Sequence, residues 1–387
     1  MTRKEFLKTC GLLGISLPFQ ASFSSCEKEG VTPNFDGKVI IIGAGAAGLA
    51  AAYLLNQRGI EFEVLEASAV YGGRMKRTTD FADFPIPLGA EWLHVKKGVL
   101  AEIVNDDSTT IDIKTTFYDP DKDFGLLDGV QLSLQDIDFT EDQKFINSTW
   151  FDFFEQYIVP SIQDQIRYNT MVEAIDYSGD QIRISTGGEE LSATKVIVTV
   201  PLKMLQNQAI SFLPELPADK RTAIDEITVW DGCKAFIEFS EKFYPAFTAY
   251  ETVPETAGQK LYYDAAYGQD SNQNILGLFA VGVEAKRYNE MTEGERISFM
   301  LAELDEAYDG KASTSYLKHT FQNWNAEPFI NGAYLTDHED WRKVRTLGES
   351  VGDKLFFAGA AYSDGTDWGS VHSSARAAKR AVEELVG

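Results

Sequence analysis

Short unbroken apolar runs and longer stretches of helical spacing alternate along this chain. Lys38-Val39-Ile40-Ile41-Ile42 is continuous and β-branched, as expected of a parallel strand covered on both faces. Gly43-Ala44-Gly45-Ala46-Ala47-Gly48 follows directly and opens an Ala- and Leu-rich helix over residues 49–58, which Gly59 stops. Residues 61–66 read as the next strand, which completes a βαβ unit. Past Pro160 the pattern becomes that of successive strands at 166–177, 181–186 and 191–200, with turns at Ser178-Gly179-Asp180 and Gly187-Gly188. Residues 150–157 and 293–308 have helical spacing, while 234–239 and 274–283 read as strands. Near the end, residues 354–358 form a buried strand that runs into Gly359 and a Gly/Asp/Ser loop. Residues 370–385 form a last helix with small residues on one side.

The first 26 residues stand outside this pattern. Arg3, Lys4 and Lys8 precede an apolar stretch at 11–19 that is too short to span a bilayer, the order expected of an export signal. Residues 2–8 resemble a twin-arginine signal with Lys in place of the second Arg, a route that carries folded proteins. Ser22-Phe23-Ser24-Ser25-Cys26 resembles a bacterial lipobox, with Phe23 in place of the usual aliphatic residue. The expectation is an exported protein, in the bacterial periplasm or anchored to the membrane as a lipoprotein through Cys26. Residues 27–37 read as a polar tether.

Composition narrows the function class. The chain has 387 residues, 44% hydrophobic and 12% aromatic, which excludes intrinsic disorder and suggests two or three domains. With 35 Lys+Arg against 59 Asp+Glu the net charge is −24, which argues against nucleic acid or an anionic membrane surface as main partner. The same charge suits a cationic ligand if the acids line its way in. Three cysteines at 10, 26 and 233 provide neither a disulfide framework nor a zinc site.

The glycine run carries the first chemistry. In G-x-G-x-x-G between strand and helix, Gly43 allows the tight turn, Gly45 lets a pyrophosphate approach the backbone, and Gly48 lets helix and strand pack closely. Ala44, Ala46 and Ala47 fill the run, and the helix N-terminus offers free N–H groups to phosphate. Glu66, close to 20 residues on, would accept ribose hydroxyls. This fingerprint alone leaves NAD and FAD open.

The continuation Ala67-Ser68-Ala69-Val70-Tyr71-Gly72-Gly73-Arg74 resembles the start of the flavin-containing amine oxidase family, the monoamine and polyamine oxidase group. The resemblance implies FAD, with the strand-end Glu and Ala67 at the ribose and Gly72-Gly73-Arg74 wrapping the pyrophosphate, Arg74 as a guanidinium fork. It continues along nearly the whole chain beyond the leader. Leu88-Gly89-Ala90-Glu91-Trp92 resembles the segment beside the flavin ring, although Pro87 stands where Asp is common. Residues 167–172 resemble the strand whose Val, here Val172, holds adenine. Residues 198–202 resemble the end of the returning strand. Gly232-Cys233-Lys234 aligns with the segment whose lysine hydrogen-bonds through a water to flavin N5. Read as a strand residue alone, Lys234 would be an exposed lysine. Trp324 to Tyr334 resembles the segment leading to the ring, and Phe356-Phe357-Ala358-Gly359, Ala360 and Trp368-Gly369-Ser370-Val371 resemble the closing FAD motif. A helix N-terminus at Ser370-Val371 would stabilise negative charge on reduced flavin. His94, His319, His338 and His372 are scattered and receive no catalytic role.

The resemblance implies a two-domain α/β flavoprotein. A discontinuous Rossmann-type FAD domain would comprise residues 38–93, 163–235 and 320–387, and an α+β substrate domain residues 94–162 and 236–319. It implies oxidation of a small-molecule amine to an imine, with Lys234 and Tyr334 at the reacting centre and oxygen reduced to hydrogen peroxide. Three departures bear on this. Ala333 stands where some members carry the cysteine bonded to flavin, so FAD is expected to be non-covalent. Tyr334 matches one wall of the family's aromatic cage, but Ser370 replaces the other, with Trp368 a nearby substitute. Ala360-Ala361 replaces an acidic or hydroxyl residue, which predicts looser FAD binding. A flavin oxidoreductase or desaturase acting on a non-amine substrate, and a non-catalytic FAD-binding lipoprotein, remain alternatives. No metal is expected, and the sequence leaves the oligomeric state open.

Overall fold

The computed structural model describes residues 35–118, 123–128, 131–135, 142–250, 257–336 and 339–387. The expected leader with Cys26, the tether up to residue 34, and His338 lie outside the described residues. Among those described, no helix is long and apolar enough to cross a membrane. The chain divides into two compact units. One takes in the described chain up to Gly73, then Phe154–Ile227 and Glu339–Gly387; the other holds Arg74–Phe153 and Thr228–His338.

The first unit is built on five parallel strands in the order Leu355–Phe357, Lys195–Val198, Val39–Ile42, Phe62–Leu65, Ile166–Arg167. Val39–Ile42 sits in the middle and is buried throughout, which is why its sequence is apolar without alternation. Helix Ala46–Gln57 crosses back from it and packs against the C-terminal helix Val371–Val386. Both contribute small side chains, among them Ala50, Ala51, Ala378 and Ala381, so the two backbones approach closely. A four-stranded sheet, Glu190–Ala193, Ile182–Thr186, Val172–Asp176 and Ser211–Leu213, completes this unit.

Two expected strands are corrected here. Residues 166–177 hold two strands in separate sheets, parted by a turn with Asn169 at φ 54°. Residues 191–200 likewise divide, because the chain leaves one sheet at Ala193 and joins the parallel sheet at Lys195. Each break falls at only one or two polar residues, Asn169-Thr170 and Thr194, of a kind that strands also carry, so the sequence does not separate the two sheets.

The second unit is a seven-stranded sheet in the order Tyr316–Asn323, Gly232–Phe239, Asn274–Gly282, Gly258–Asp264, Phe247–Tyr250, Phe124–Asp128, Gln131–Gln135. Period-two alternation divides its core: Phe236 and Tyr263 face one apolar cluster, while Ala235, Ile237 and Tyr262 face the other. Strand Gly232–Phe239 pairs on both sides within this sheet, and residues 228–235, 320–336 and 74–93 fall in the same compact unit.

In the first unit, helix Ala218–Glu226 buries Lys220, whose ammonium donates to the carbonyls of Thr346 (2.8 Å) and Leu347 (2.7 Å). It also lies 4.0 Å from the centre of the Phe357 ring. Burial disfavours its charge and brings its pKa down to about 7. An unfolded lysine holds its proton up to about pH 10.4. Between those values the unfolded chain binds the proton more tightly, so the fold gains stability from this group as pH rises. The denaturation free energy of wild type minus Lys220→Met is therefore expected to climb from pH 7 towards pH 10. A flat difference would contradict the assignment.

Candidate active site

The first unit carries the dinucleotide cradle. Gly43 takes φ 103°, a backbone conformation that side chains resist, and its N–H donates to the Leu65 carbonyl across the sheet. A Cβ on Gly48 would lie 1.9 Å from the Gly43 carbonyl oxygen, so glycine is required for the helix to start this close to the strand. Gly45 differs. A Cβ there would meet nothing within 4 Å, and Gly45 caps the helix without any side-chain hydrogen bond. The space in front of the helix N-terminus is thus open, with its first amides directed into it. The Gly72-Gly73 turn folds over this opening, with the Gly72 N–H on the Ala44 carbonyl at 2.8 Å.

Glu66 is fixed by the same turn. One carboxylate oxygen accepts from the Ala44 N–H (2.6 Å), the other from the Ser68 N–H (2.8 Å). Each oxygen keeps a lone pair for a ribose hydroxyl. Beside it, the Asn169 and Thr170 amides bond to the Ser68 and Glu66 carbonyls, which carries the chain past Glu66 to Val172. At the far end of the unit, Ser370 is the N-cap of helix Val371–Val386, in a reciprocal capping box with Ser373. That role explains a serine at this position. Its hydroxyl also lies 3.2 Å from His372 Nε2, which pairs with Asp367 at 2.8 Å. Gly359 accepts the Tyr362 N–H and Ala360 the Gly369 N–H, which closes the glycine loop on itself.

The second unit holds a cluster of buried charges. Lys234, 3% exposed, extends from strand Gly232–Phe239 on the face of Phe236 and Tyr263. Its ammonium donates to Glu91 Oε2 (2.6 Å) and the Pro87 carbonyl (3.2 Å), and lies 5.2 Å from the Trp92 ring centre. Tyr263 donates its hydroxyl to the same Glu91 oxygen. Glu91 Oε1 faces a second buried lysine, Lys144, at 3.3 Å. Lys144 also donates to the carbonyls of Asp264 (3.2 Å) and Ala265 (3.0 Å). Burial alone would raise the Glu91 pKa, but the two ammonium groups outweigh it and hold the carboxyl below its ordinary value. Burial lowers the pKa of Lys234 and Lys144 adds to that, while Glu91 opposes both. Tyr263 keeps its proton well above the usual phenol range, through burial and the adjacent carboxylate.

The loop before this cluster is tightly packed. A Cβ on Gly89 would lie 1.9 Å from the Arg74 carbonyl oxygen and 2.8 Å from the Trp324 ring, whose Nε1 donates to the Leu88 carbonyl at 3.1 Å. The Ala90 N–H meets the Arg74 carbonyl at 2.9 Å, and the Arg74 guanidinium donates to the Ala333 carbonyl. Tyr334 packs edge-on to Trp230, with ring centres 6.1 Å apart, and its carbonyl accepts the Trp230 N–H.

The structure therefore groups the expected residues as Gly43–Gly48, Glu66, Ala67, Gly72, Gly73, Val172, Gly359, Ala360, Ser370 and Val371 in one unit. Arg74, Leu88–Trp92, Lys234, Trp324 and Tyr334 are in the other. Lys234 is no exposed strand lysine. Lys144 and Tyr263 went unread. Lys144 lies in the polar run Asp142-Gln143-Lys144, which gives no hint of burial, and Tyr263 is one of two adjacent tyrosines on opposite faces of a strand.

A family profile described as flavin containing amine oxidoreductase matches residues 154–386, and one for NAD(P)-binding Rossmann-like domains matches residues 41–106. Polyamine oxidase 4 of Oryza sativa subsp. japonica is 26% identical over 470 residues, covering 98% of this chain and 92% of that protein. Lysine-specific histone demethylase 1B of Mus musculus is 25% identical over 410 residues, covering 84% of this chain. The chain spans about half the length of that relative, 50%. Among solved structures, wild-type putrescine oxidase bound to putrescine has a TM-score of 0.72 at 15% identity, covering 90% of this chain and 99% of that one. This last likeness is one of fold, α/β with a Rossmann-type unit. The family profile covers more than half of the sequence, and the chain belongs to the flavin-containing amine oxidoreductase family.

Proposed function

We propose that this protein is an FAD-dependent oxidase of small-molecule amines. The observation that carries the reading is Lys234, a buried ammonium in a chain of this family whose hydrogen bonds to Glu91 and the Pro87 carbonyl leave one N–H uncommitted. Non-covalent FAD would be held by Gly43–Gly48 and Gly72-Gly73 at its pyrophosphate, by Glu66 at its ribose, and by the N-terminus of helix Val371–Val386. The open space in front of Gly45 and the uncapped helix start fit such a group. Bound flavin supplies the acceptor for a hydride equivalent from the carbon beside the amine nitrogen, giving an imine, and oxygen takes the electrons to hydrogen peroxide. Lys234 would hold a water at the reacting centre through its third N–H, and Tyr334 would orient the amine with its ring face. The net charge of −24 would favour the approach of cationic amines where the acids line the way in. Export to the periplasm, with a lipid anchor at Cys26, is part of the same proposal and rests on the order of charge, apolar run and small residues in the leader.

The cradle predicts a contrast between two glycines. Gly45→Ala should fold like wild type, because its Cβ enters open space, yet bind FAD at least about tenfold more weakly where phosphate must approach. Gly48→Ala should lower the melting temperature of the flavin-free protein, by about 1–3 kcal/mol of overpacking. Calorimetry of flavin-free protein and FAD titration measure both, and equal effects on stability would contradict the division of roles. For the reaction, anaerobic mixing with a panel of monoamines, diamines and polyamines should bleach the bound-flavin absorbance with at least one of them. Admitting oxygen should restore it and release peroxide. A flavin that dithionite reduces but no amine does would overturn the amine reading.

A further inference from the structure

The two lysines on Glu91 are not equivalent. Lys144 donates to the Asp264 and Ala265 carbonyls and faces Glu91 Oε1 as an ion pair at 3.3 Å, without a hydrogen bond to it. It is 2% exposed and reaches two different segments of the second unit. Lys234 commits two donors, to Glu91 Oε2 and the Pro87 carbonyl. The carboxylate between them is thus shared: one oxygen faces Lys144 as an ion pair, and the other accepts hydrogen bonds from Lys234 and the Tyr263 hydroxyl.

We infer that Lys144 is a positioning residue for Lys234: through Glu91 and through its own charge it sets how readily Lys234 gives up its proton. The consequence for the reaction rests on the amine oxidase reading above, but the proton affinity itself does not. Two like charges on one buried carboxylate disfavour each other, so the Lys144 ammonium on the far oxygen of Glu91 weakens the hold of Lys234 on its proton. The other groups around Lys234 cannot take over this task. Tyr263 and Tyr118 keep their protons through burial, and the Asp264 carboxylate is engaged by Lys242 at 2.8 Å. On the neighbouring strands Lys234 faces Phe279 and Gln322, and the Gln322 amide donates to Glu327, which pairs with Lys76 at 2.9 Å. Among the described residues, Lys144 is the one further cation on the carboxylate that Lys234 uses.

The test is a pH titration of Lys234 by NMR in protein labelled with carbon-13 at the lysine ε position. The signal is assigned by its loss in Lys234→Arg, and flavin-free and flavin-loaded protein are compared. In Lys144→Met the Lys234 titration should move up by about one pH unit, and in Lys144→Arg it should stay near wild type. Glu91→Gln should move it down, which keeps the inference testable if Lys144→Met does not fold. With an amine that reduces the flavin, the pH profile of anaerobic reduction should shift in the same direction as the NMR titration. An unchanged Lys234 titration in Lys144→Met, with only a lower melting temperature, would overturn the inference and leave Lys144 a packing residue. Failure of every amine to reduce the flavin, with the NMR shift present, would overturn the amine reading alone.

Discussion

The Glu91 carboxylate, held between two buried ammonium groups and a tyrosine hydroxyl, is the interaction on which the second unit depends. Removing three charges from water costs more than their mutual attraction returns unless hydrogen bonds satisfy nearly every donor and acceptor. Here they do so by drawing on separate pieces of chain. Lys234 comes from strand Gly232–Phe239, Glu91 and the Pro87 carbonyl from the segment after Arg74, Lys144 from the short strand Gln143–Phe145, and the Asp264 and Ala265 carbonyls from the end of strand Gly258–Asp264. A cluster of this kind contributes little net stability, but it rejects alternative registers, because a one-residue slip in any strand would leave a bare charge in an apolar core.

The first unit achieves its task by other means. Its cradle uses almost no side-chain charge: an open glycine, an uncapped helix start and one carboxylate fixed by two backbone amides. Such a site recognises phosphate and ribose by the direction of N–H groups and by what is absent from the backbone. The serine at the start of the last helix belongs to the same logic, since Ser370 spends its hydroxyl on capping and leaves the helix N-terminus to act as a dipole. Backbone geometry in the first unit carries the proposal of cofactor holding, and buried side-chain charge in the second carries that of proton control.

This division also explains what the sequence could show. The cradle is local: Gly43, Gly45, Gly48 and Glu66 fall within one βαβ unit, so spacing alone announces them, and the structure gives Gly43 its positive φ and Gly48 its close approach to the strand. The central strand Val39–Ile42 and the helices at 150–157, 293–307 and 371–386 were legible for the same reason, each being a single periodic segment. Lys234 was legible only through family resemblance, and its partner Lys144 was not, because nothing near residue 144 records a contact with residue 91. The breaks at Asn169 and Thr194 were hidden because one or two polar residues there look no different from those within a strand. The division at Gly73–Arg74 was hidden because one loop motif straddles both units.

The most direct measurement is a double-mutant cycle on Glu91 and Lys234, with unfolding free energies for Glu91→Gln, Lys234→Met and the two combined. Glu91→Gln leaves two buried ammonium groups without their carboxylate and should cost about 3–5 kcal/mol, and Lys234→Met, which leaves Glu91 with Lys144 alone, should cost less. The combined substitution should cost less than the sum by about 1–3 kcal/mol. Single effects that add to within about 0.5 kcal/mol would contradict a shared buried ion pair.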